Sequence, residues 1–246
     1  MHNLDRSLIW RSDLPVGEPI PEWTGVPFPP HEVMAGRTCR LEPLNVSVHG
    51  ADLHAAFAED AEGAMWTYLP SGPFATEADT LSWLHECAIK TDPQFYAIVL
   101  KATDRAVGMA SFMRIDPLNG CIEVGYLAYS PALQRTTEAT EAMYLMMRRA
   151  FELGYRRYEW KCNALNAPSR RAALRLGFSF EGLFRQAIVT KGRNRDTAWY
   201  SVIDKEWPIR EMEFERWLAP RNFDDAGSQI TPLSQETVTV VSEEKR

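Results

Sequence analysis

Between Cys121 and Gly154 the chain changes its hydrophobic period once, and abruptly. CIEVGYLAYS is rich in aliphatic and aromatic residues and reads as a strand, whereas Thr137 to Leu153 puts Ala139, Met143, Met146, Met147 and Ala150 on one helical face. Gly154 stands where a C-terminal cap belongs. The linking stretch, SPALQRTTEATEA, is short and contains no glycine. A strand, a tight loop and a helix N-terminus form a natural cradle for a phosphate, because unpaired amides and the helix dipole both favour an anion. The Met-lined face reads as core rather than as a ligand surface.

The same two periods alternate along the rest of the chain. RTCRLEPL reads as a strand, SVHGADLHAAFAED and TEADTLSWLHECAIK as amphipathic helices, and QFYAIVLK with RAVGMASFMRI as paired strands. After the long helix come a strand in RRYEWKC, a helix in NAPSRRAALRL closed by Gly177, and two strands, FSFEGLFRQAIVT and RDTAWYSVID, across the turn KGRN. This predicts an α/β (α+β) chain with a central mixed, mostly antiparallel sheet of six to seven strands flanked by helices. Residues 1–36 are rich in proline and read as an extended arm whose aromatics Trp10, Trp23 and Phe28 dock on the domain. The domain itself spans 37–210, a closing helix 211–221, and 222–246 reads as a largely disordered polar tail in which TVTVV could add an edge strand.

Charge and cysteine usage exclude several functions. A net charge of -6 lacks the basic surplus that nucleic acid demands. No segment approaches the roughly 20 apolar residues of a membrane span, and the first residues lack a signal-peptide core, so a cytoplasmic protein is expected. Cys39, Cys87, Cys121 and Cys162 lie far apart, as do the five histidines, so no metal site is expected. With 45% hydrophobic residues the chain has material for an ordinary globular core.

The order of elements, IEVGY leading into a Pro-containing loop and then ATEA, NAPSRRAALRLGF, and GLFRQ followed by RDTAWYSVIDKEW together resemble the GNAT superfamily of N-acetyltransferases, and its RimJ/RimL-type branch in particular. That resemblance implies the GNAT fold, splayed between its fourth and fifth strands, with acetyl-CoA as co-substrate. Members usually carry Q/R-x-x-G-x-G/A at the pyrophosphate loop; here the stretch is Ala132 to Thr137, with Arg135 and Thr137 in place of the two glycines. The cradle survives this change if the loop keeps ordinary backbone angles. Glu138 and Glu141, in the first turns of the helix, would repel a phosphate unless they point away.

Several roles follow from the resemblance. Leu127, Ala128 and Tyr129 would align the pantetheine arm and polarise the thioester, while Gln134, Arg135, Thr136, Thr137, Asn166 and Ser169 would hold the cofactor. Transfer would be direct attack by the amine in a ternary complex, without an acyl-enzyme. Glu123 is the candidate general base, acting through a water, or alternatively a strand carboxylate paired with an Arg or Lys. Ser169 would protonate the leaving thiolate, because the tyrosine that many relatives carry is here Ala173.

Asp196 would anchor the substrate amine, or pair with Arg185. Trp66 and Tyr68 would wall a substrate slot, or simply pack. The arm could cover that region, which would favour a small-molecule amine over a protein N-terminus. A non-catalytic acyl-CoA-binding protein is the third alternative, and either a monomer or a homodimer is compatible with the sequence.

Overall fold

The computed structural model describes residues 14–233. Eight strands form one sheet in the order β1-β2-β3-β4-β5-β6-β8-β7, comprising β1 (Met34–Ala35), β2 (Cys39–Pro43), β3 (Gln94–Leu100), β4 (Arg105–Asp116), β5 (Cys121–Tyr129), β6 (Arg157–Asn163), β7 (Ser179–Thr190) and β8 (Arg193–Ile203). Seven of these are the predicted strands. The eighth is β1, a two-residue segment laid antiparallel on β2, too short to leave a period in the sequence. Every neighbouring pair is antiparallel except β5 with β6.

Five helices complete the fold, namely α1 (Val46–Ala58), α2 (Glu77–Ala88), α3 (Thr137–Glu152), α4 (Ala167–Arg175) and α5 (Trp207–Leu218). Four begin on a side-chain cap, from Asn45, Thr76, Thr136 and Asn166, which satisfies an otherwise orphan amide at each N-terminus. None of the described helices is long and apolar enough to cross a membrane.

The sheet is buried differently on its two faces. On one, Met146, Met147 and Ala150 of α3 and Phe214 and Trp217 of α5 pack over Ile122, Val124, Tyr158, Trp160, Ala198 and Tyr200. On the other, α1 and α2 cover Phe95, Ala97, Val99, Met109 and Ala128. That second cover ends near β5. Beyond it the alternate residues of β5, β6 and β8 on that face are polar yet buried, including Glu123, Glu159, Lys161, Thr197 and Ser201.

The N-terminal arm docks as expected through Trp23, whose indole N–H donates to the Leu118 carbonyl at 2.8 Å under the Arg156 guanidinium. Phe28 remains 46% exposed, and Trp10 lies outside the described residues. Farther on, Tyr155 and Gln94 donate to the carbonyls of Pro27 and Pro29. Among the described residues the arm therefore lines the end of the sheet where β5 and β6 begin, rather than the 65–76 loop it was expected to cover.

Residues 222–233, expected to be a loose tail, fold back on α5. Asn222 donates to the carbonyls of Trp217 and Thr231, Gln229 accepts from the Trp217 indole, and Leu233 is buried. TVTVV lies outside the described residues.

Candidate functional site

Two irregularities shape the centre of the sheet. Pairing of β5 with β6 runs from Cys121↔Arg157 to Val124↔Trp160 and then stops, so the two parallel strands part beyond that point. On the other side of β5 a bulge opens between Met109/Ser111 and Gly125/Ala128, with Tyr126 at φ 49°. A bulge bends its strand, and here it turns β5 away from β6 while keeping Ala128 and Tyr129 on β4. The expected splay is therefore present, and the backbone of Leu127–Tyr129 runs along its edge.

At the far end of that strand sits the glycine-free loop. Arg135 adopts φ 63°, the left-handed conformation a glycine takes at no cost, so the expectation of ordinary backbone angles does not hold. The amides of Gln134 and Thr136 are consumed within the loop, by the carbonyls of Ser130 and Leu133. Thr136 caps α3 at Ala139 and gives its hydroxyl proton to Leu133. Gln134 donates its side-chain amide to the Tyr129 carbonyl. Among the described residues this leaves the amides of Arg135, Thr137 and Glu138 without an acceptor.

Glu141 points away from the loop. Its carboxylate accepts from the amides of Arg37, Thr38 and Cys39 at 2.7, 2.6 and 2.9 Å and from the Thr38 hydroxyl at 2.6 Å. Burial would raise its pKa, but Thr38 and the three amides outweigh burial and hold it below the usual carboxylate value.

Glu123 lies on the α1/α2 face at the point of parting. The carboxyl is 4% exposed and sits 2.9 Å from the Lys161 ammonium and 3.2 Å from the Arg114 guanidinium. Burial pushes its pKa up, with Lys161 and then Arg114 opposing. Lys161 also meets Glu159 at 2.6 Å and stands 3.8 Å over the Trp199 ring. The paired-carboxylate alternative thus describes its present contacts, while the raised pKa and its place at the opening suit a base. Lys161 was missed, although the alternation of RYEWKCN puts Glu159 and Lys161 on one face and the parallel register brings both beside Glu123.

Ser169 and Asn166 occupy the opposite face. The Asn166 side chain caps α4 by accepting from the Ser169 amide at 3.1 Å, and the Ser169 hydroxyl accepts from the Trp160 indole at 3.0 Å. Trp160 belongs to the α3 side of β6 and Lys161 to the other. The candidate base and the candidate acid therefore flank the gap from its two sides.

Asp196 forms no ion pair with Arg185; it accepts from the Gln186 amide at 2.7 Å and from Asn194, and these bonds lower its pKa. Those bonds hold the β7 bulge, beside a cavity of about 670 Å3 that Arg185, Gln186 and Asn194 share. By the alternation of β8, Asp196 faces away from the Glu123 side.

Trp66 is 3% exposed and meets Phe57, Phe74 and Trp83 edge to face, so it packs rather than walls a slot. The loop that carries it bridges the opening nonetheless. Tyr68 donates its hydroxyl proton to the Leu165 carbonyl at 3.1 Å, and Lys191 donates to the carbonyls of Trp66, Ser71 and Gly72 at 2.9, 3.1 and 2.7 Å. Lys191 and Gly192 alone form the β7–β8 turn, both at positive φ, which suits a two-residue hairpin; Arg193 and Asn194 of the expected KGRN turn already belong to β8.

A family model covers the strands, the splay and the capped central helix just described. The acetyltransferase (GNAT) domain model matches residues 39–179. The chain belongs to the GNAT acetyltransferase family. A GCN5-related N-acetyltransferase from Brucella melitensis superposes with a TM-score of 0.86 at 48% identity, over 87% of this chain and 97% of that one. An uncharacterised N-acetyltransferase of Bacillus licheniformis is 27% identical over 174 residues, 69% of this chain and 96% of its own length. The ribosomal-protein-serine acetyltransferase of Escherichia coli is 32% identical over 105 residues, 42% of this chain and 58% of the relative. By this membership the chain is an N-acetyltransferase, and GNAT enzymes use acetyl-CoA as co-substrate.

Proposed function

We propose that this GNAT enzyme moves the acetyl group of acetyl-CoA onto a primary amine of a small molecule, by direct attack in a ternary complex. The observation that carries the reading is the strap over the opening, in which Tyr68 is tied to Leu165 while Lys191 holds the carbonyls of Trp66, Ser71 and Gly72 on either side of it. A roofed opening admits a compact amine more readily than a folded partner's terminus.

On this reading the amides of Arg135, Thr137 and Glu138, the dipole of α3 and the Arg135 guanidinium hold the diphosphate. The parted edge at Leu127–Tyr129 aligns the thioester, and alignment is the chief catalytic contribution. Glu123 takes the amine proton through a water. An alkylamine of pKa ~10.4 lies about 4.6 kcal/mol from its free base at pH 7, whereas an α-amine near ~8 lies only about 1.4 kcal/mol away, so the base matters most for the former. A thiol of pKa ~8.5 leaves with about 2 kcal/mol of mismatch at pH 7, which Ser169 or water can supply.

The match to the ribosomal-protein-serine acetyltransferase favours a second reading, a protein α-amine as acceptor. A thiol-release assay with acetyl-CoA against polyamines, amino acids, aminoglycoside-like amines and N-terminal peptides tests both. Turnover of small amines with none of peptides supports the first, and turnover confined to peptides overturns it.

A further inference from the structure

Strand β8 presents three polar atoms to the Glu123 side of the sheet that nothing among the described residues satisfies. They are Arg195 Nε, Thr197 Oγ1 and Trp199 Nε1, each shielded from solvent and each without a hydrogen-bond partner among the described residues. Their spacing of two places them on one face, the face of Lys161, because Trp199 pairs with Lys161 and Thr197 with Asn163 across the antiparallel β6–β8 ladder. All three lie beyond Val124↔Trp160, at the level where β5 has already left β6, with β6 between them and the opening. Gly125, on the opposite bank, lies under Met113, whose sulfur would stand 2.4 Å from a Cβ placed there.

The atoms share a chemistry. Two are N–H groups that can only donate, and the third is a hydroxyl that can donate. Buried donors left unmatched are costly, and a run of them on one strand is unusual in a native protein. The Trp199 N–H is held in direction, because its indole is stacked on Phe184 at 4.3 Å between centroids and capped by the Lys161 ammonium. Thr197 is only 3% exposed.

Charge points the same way. Arg114, Lys161 and Arg157 are matched on this face by Glu123, Glu159 and Glu181. Arg195 forms no ion pair among the described residues, and burial lowers its pKa, with the nearby Glu123 carboxylate opposing. A row of one cation without an ion-pair partner and two donors, with Thr197 in the middle, matches one planar monoanion with two acceptor oxygens.

We infer that the acceptor amine carries a carboxylate, as an amino acid does, and that Arg195, Thr197 and Trp199 bind that carboxylate while its amino group lies at the opening near Glu123. The inference rests on the acetyl-transfer reading above and narrows its substrate class.

The test is a thiol-release assay on the full chain with acetyl-CoA and matched pairs, glycine with glycinamide, alanine with alaninamide and β-alanine with β-alaninamide, plus carboxylate-free polyamines. A site built for the missing anion rejects its neutral counterpart, so the best acid should exceed its amide in kcat/KM by about tenfold or more. Trp199→Phe removes the N–H but keeps the ring, and Thr197→Val removes the hydroxyl at constant shape. Each should pull the acid-to-amide ratio toward one, which a purely structural role would not do because both substrates would then suffer alike. Equal turnover of acids and amides, or a ratio unmoved in both variants, overturns the inference and leaves acetyl transfer standing. Absence of thiol release from every amine, polyamines included, overturns the parent reading itself.

Discussion

The Glu123 carboxylate and the Lys161 ammonium lie 2.9 Å apart, and each side chain is 5% exposed. A pair so placed has little net effect while intact, yet removal of one partner strands the other. Lys161→Met leaves Glu123 and Glu159 facing each other with Arg114 and Arg157 as their ion-pair partners, and should destabilise the fold by about 3–5 kcal/mol at pH 7 in urea unfolding. The Glu123 pKa, already raised in the folded state, then rises further. A carboxyl whose folded pKa exceeds its unfolded one costs stability above that range and regains it as pH falls, so the deficit should shrink between pH 7 and 5. A deficit independent of pH would contradict the pairing.

Glu123→Gln removes the proposed base without changing its shape. With an alkylamine acceptor kcat/KM should fall about 10²-fold or more at pH 7 and recover as pH approaches the amine's own pKa, because the substrate then arrives deprotonated. The wild-type acid limb should lie above the usual glutamate range, in the direction that burial shifts this group. A uniform loss at all pH values would assign Glu123 a purely structural part.

Arg135 holds a left-handed backbone that costs a side chain about 1–2 kcal/mol and glycine little. Arg135→Gly should therefore stabilise the protein by about 0.5 kcal/mol once glycine's greater unfolded-state entropy is set against the relieved strain. Affinity for CoA, read by calorimetry, should fall several-fold with the guanidinium. Unchanged affinity would remove Arg135 from the cradle.

Glu141→Gln keeps the acceptor count at the 37–39 turn lower by one oxygen and removes the charge. Hydrogen bonds to a charged group are worth about 1.5–3 kcal/mol, and a loss near that size is expected in thermal or urea unfolding at pH 7. Because the folded pKa is lowered, this stabilisation is fully present above the unfolded value and is lost as pH falls through the folded one. Wild type and variant should therefore converge in acid.

The fold was readable because its signals are local. The α3 stripe of Met143, Met146 and Met147, the Asn166 cap and the stop at Gly177 each need only neighbours in sequence to be recognised. The site was less readable because its contacts cross the sheet. That Glu141 turns to residues 37–39 depends on a partner about a hundred positions away, and the Lys191 strap joins a hairpin to a loop more than a hundred positions earlier. Arg135 shows a different limit: its left-handed angle is dictated by the loop's closure on Ser130 and Leu133, against its own preference, so residue type pointed the wrong way. Trp66 was ambiguous by nature, since an aromatic near a substrate slot and an aromatic in a core look alike until Phe57, Phe74 and Trp83 are placed around it.

The parting of β5 from β6 beyond Val124 and Trp160 pierces the sheet rather than denting it. A passage has two mouths. On the proposed reading the nucleotide arrives by the Arg135 side and the amine by the strapped side, so neither reactant stands in the other's doorway, and initial-rate kinetics should show no compulsory order of arrival or departure.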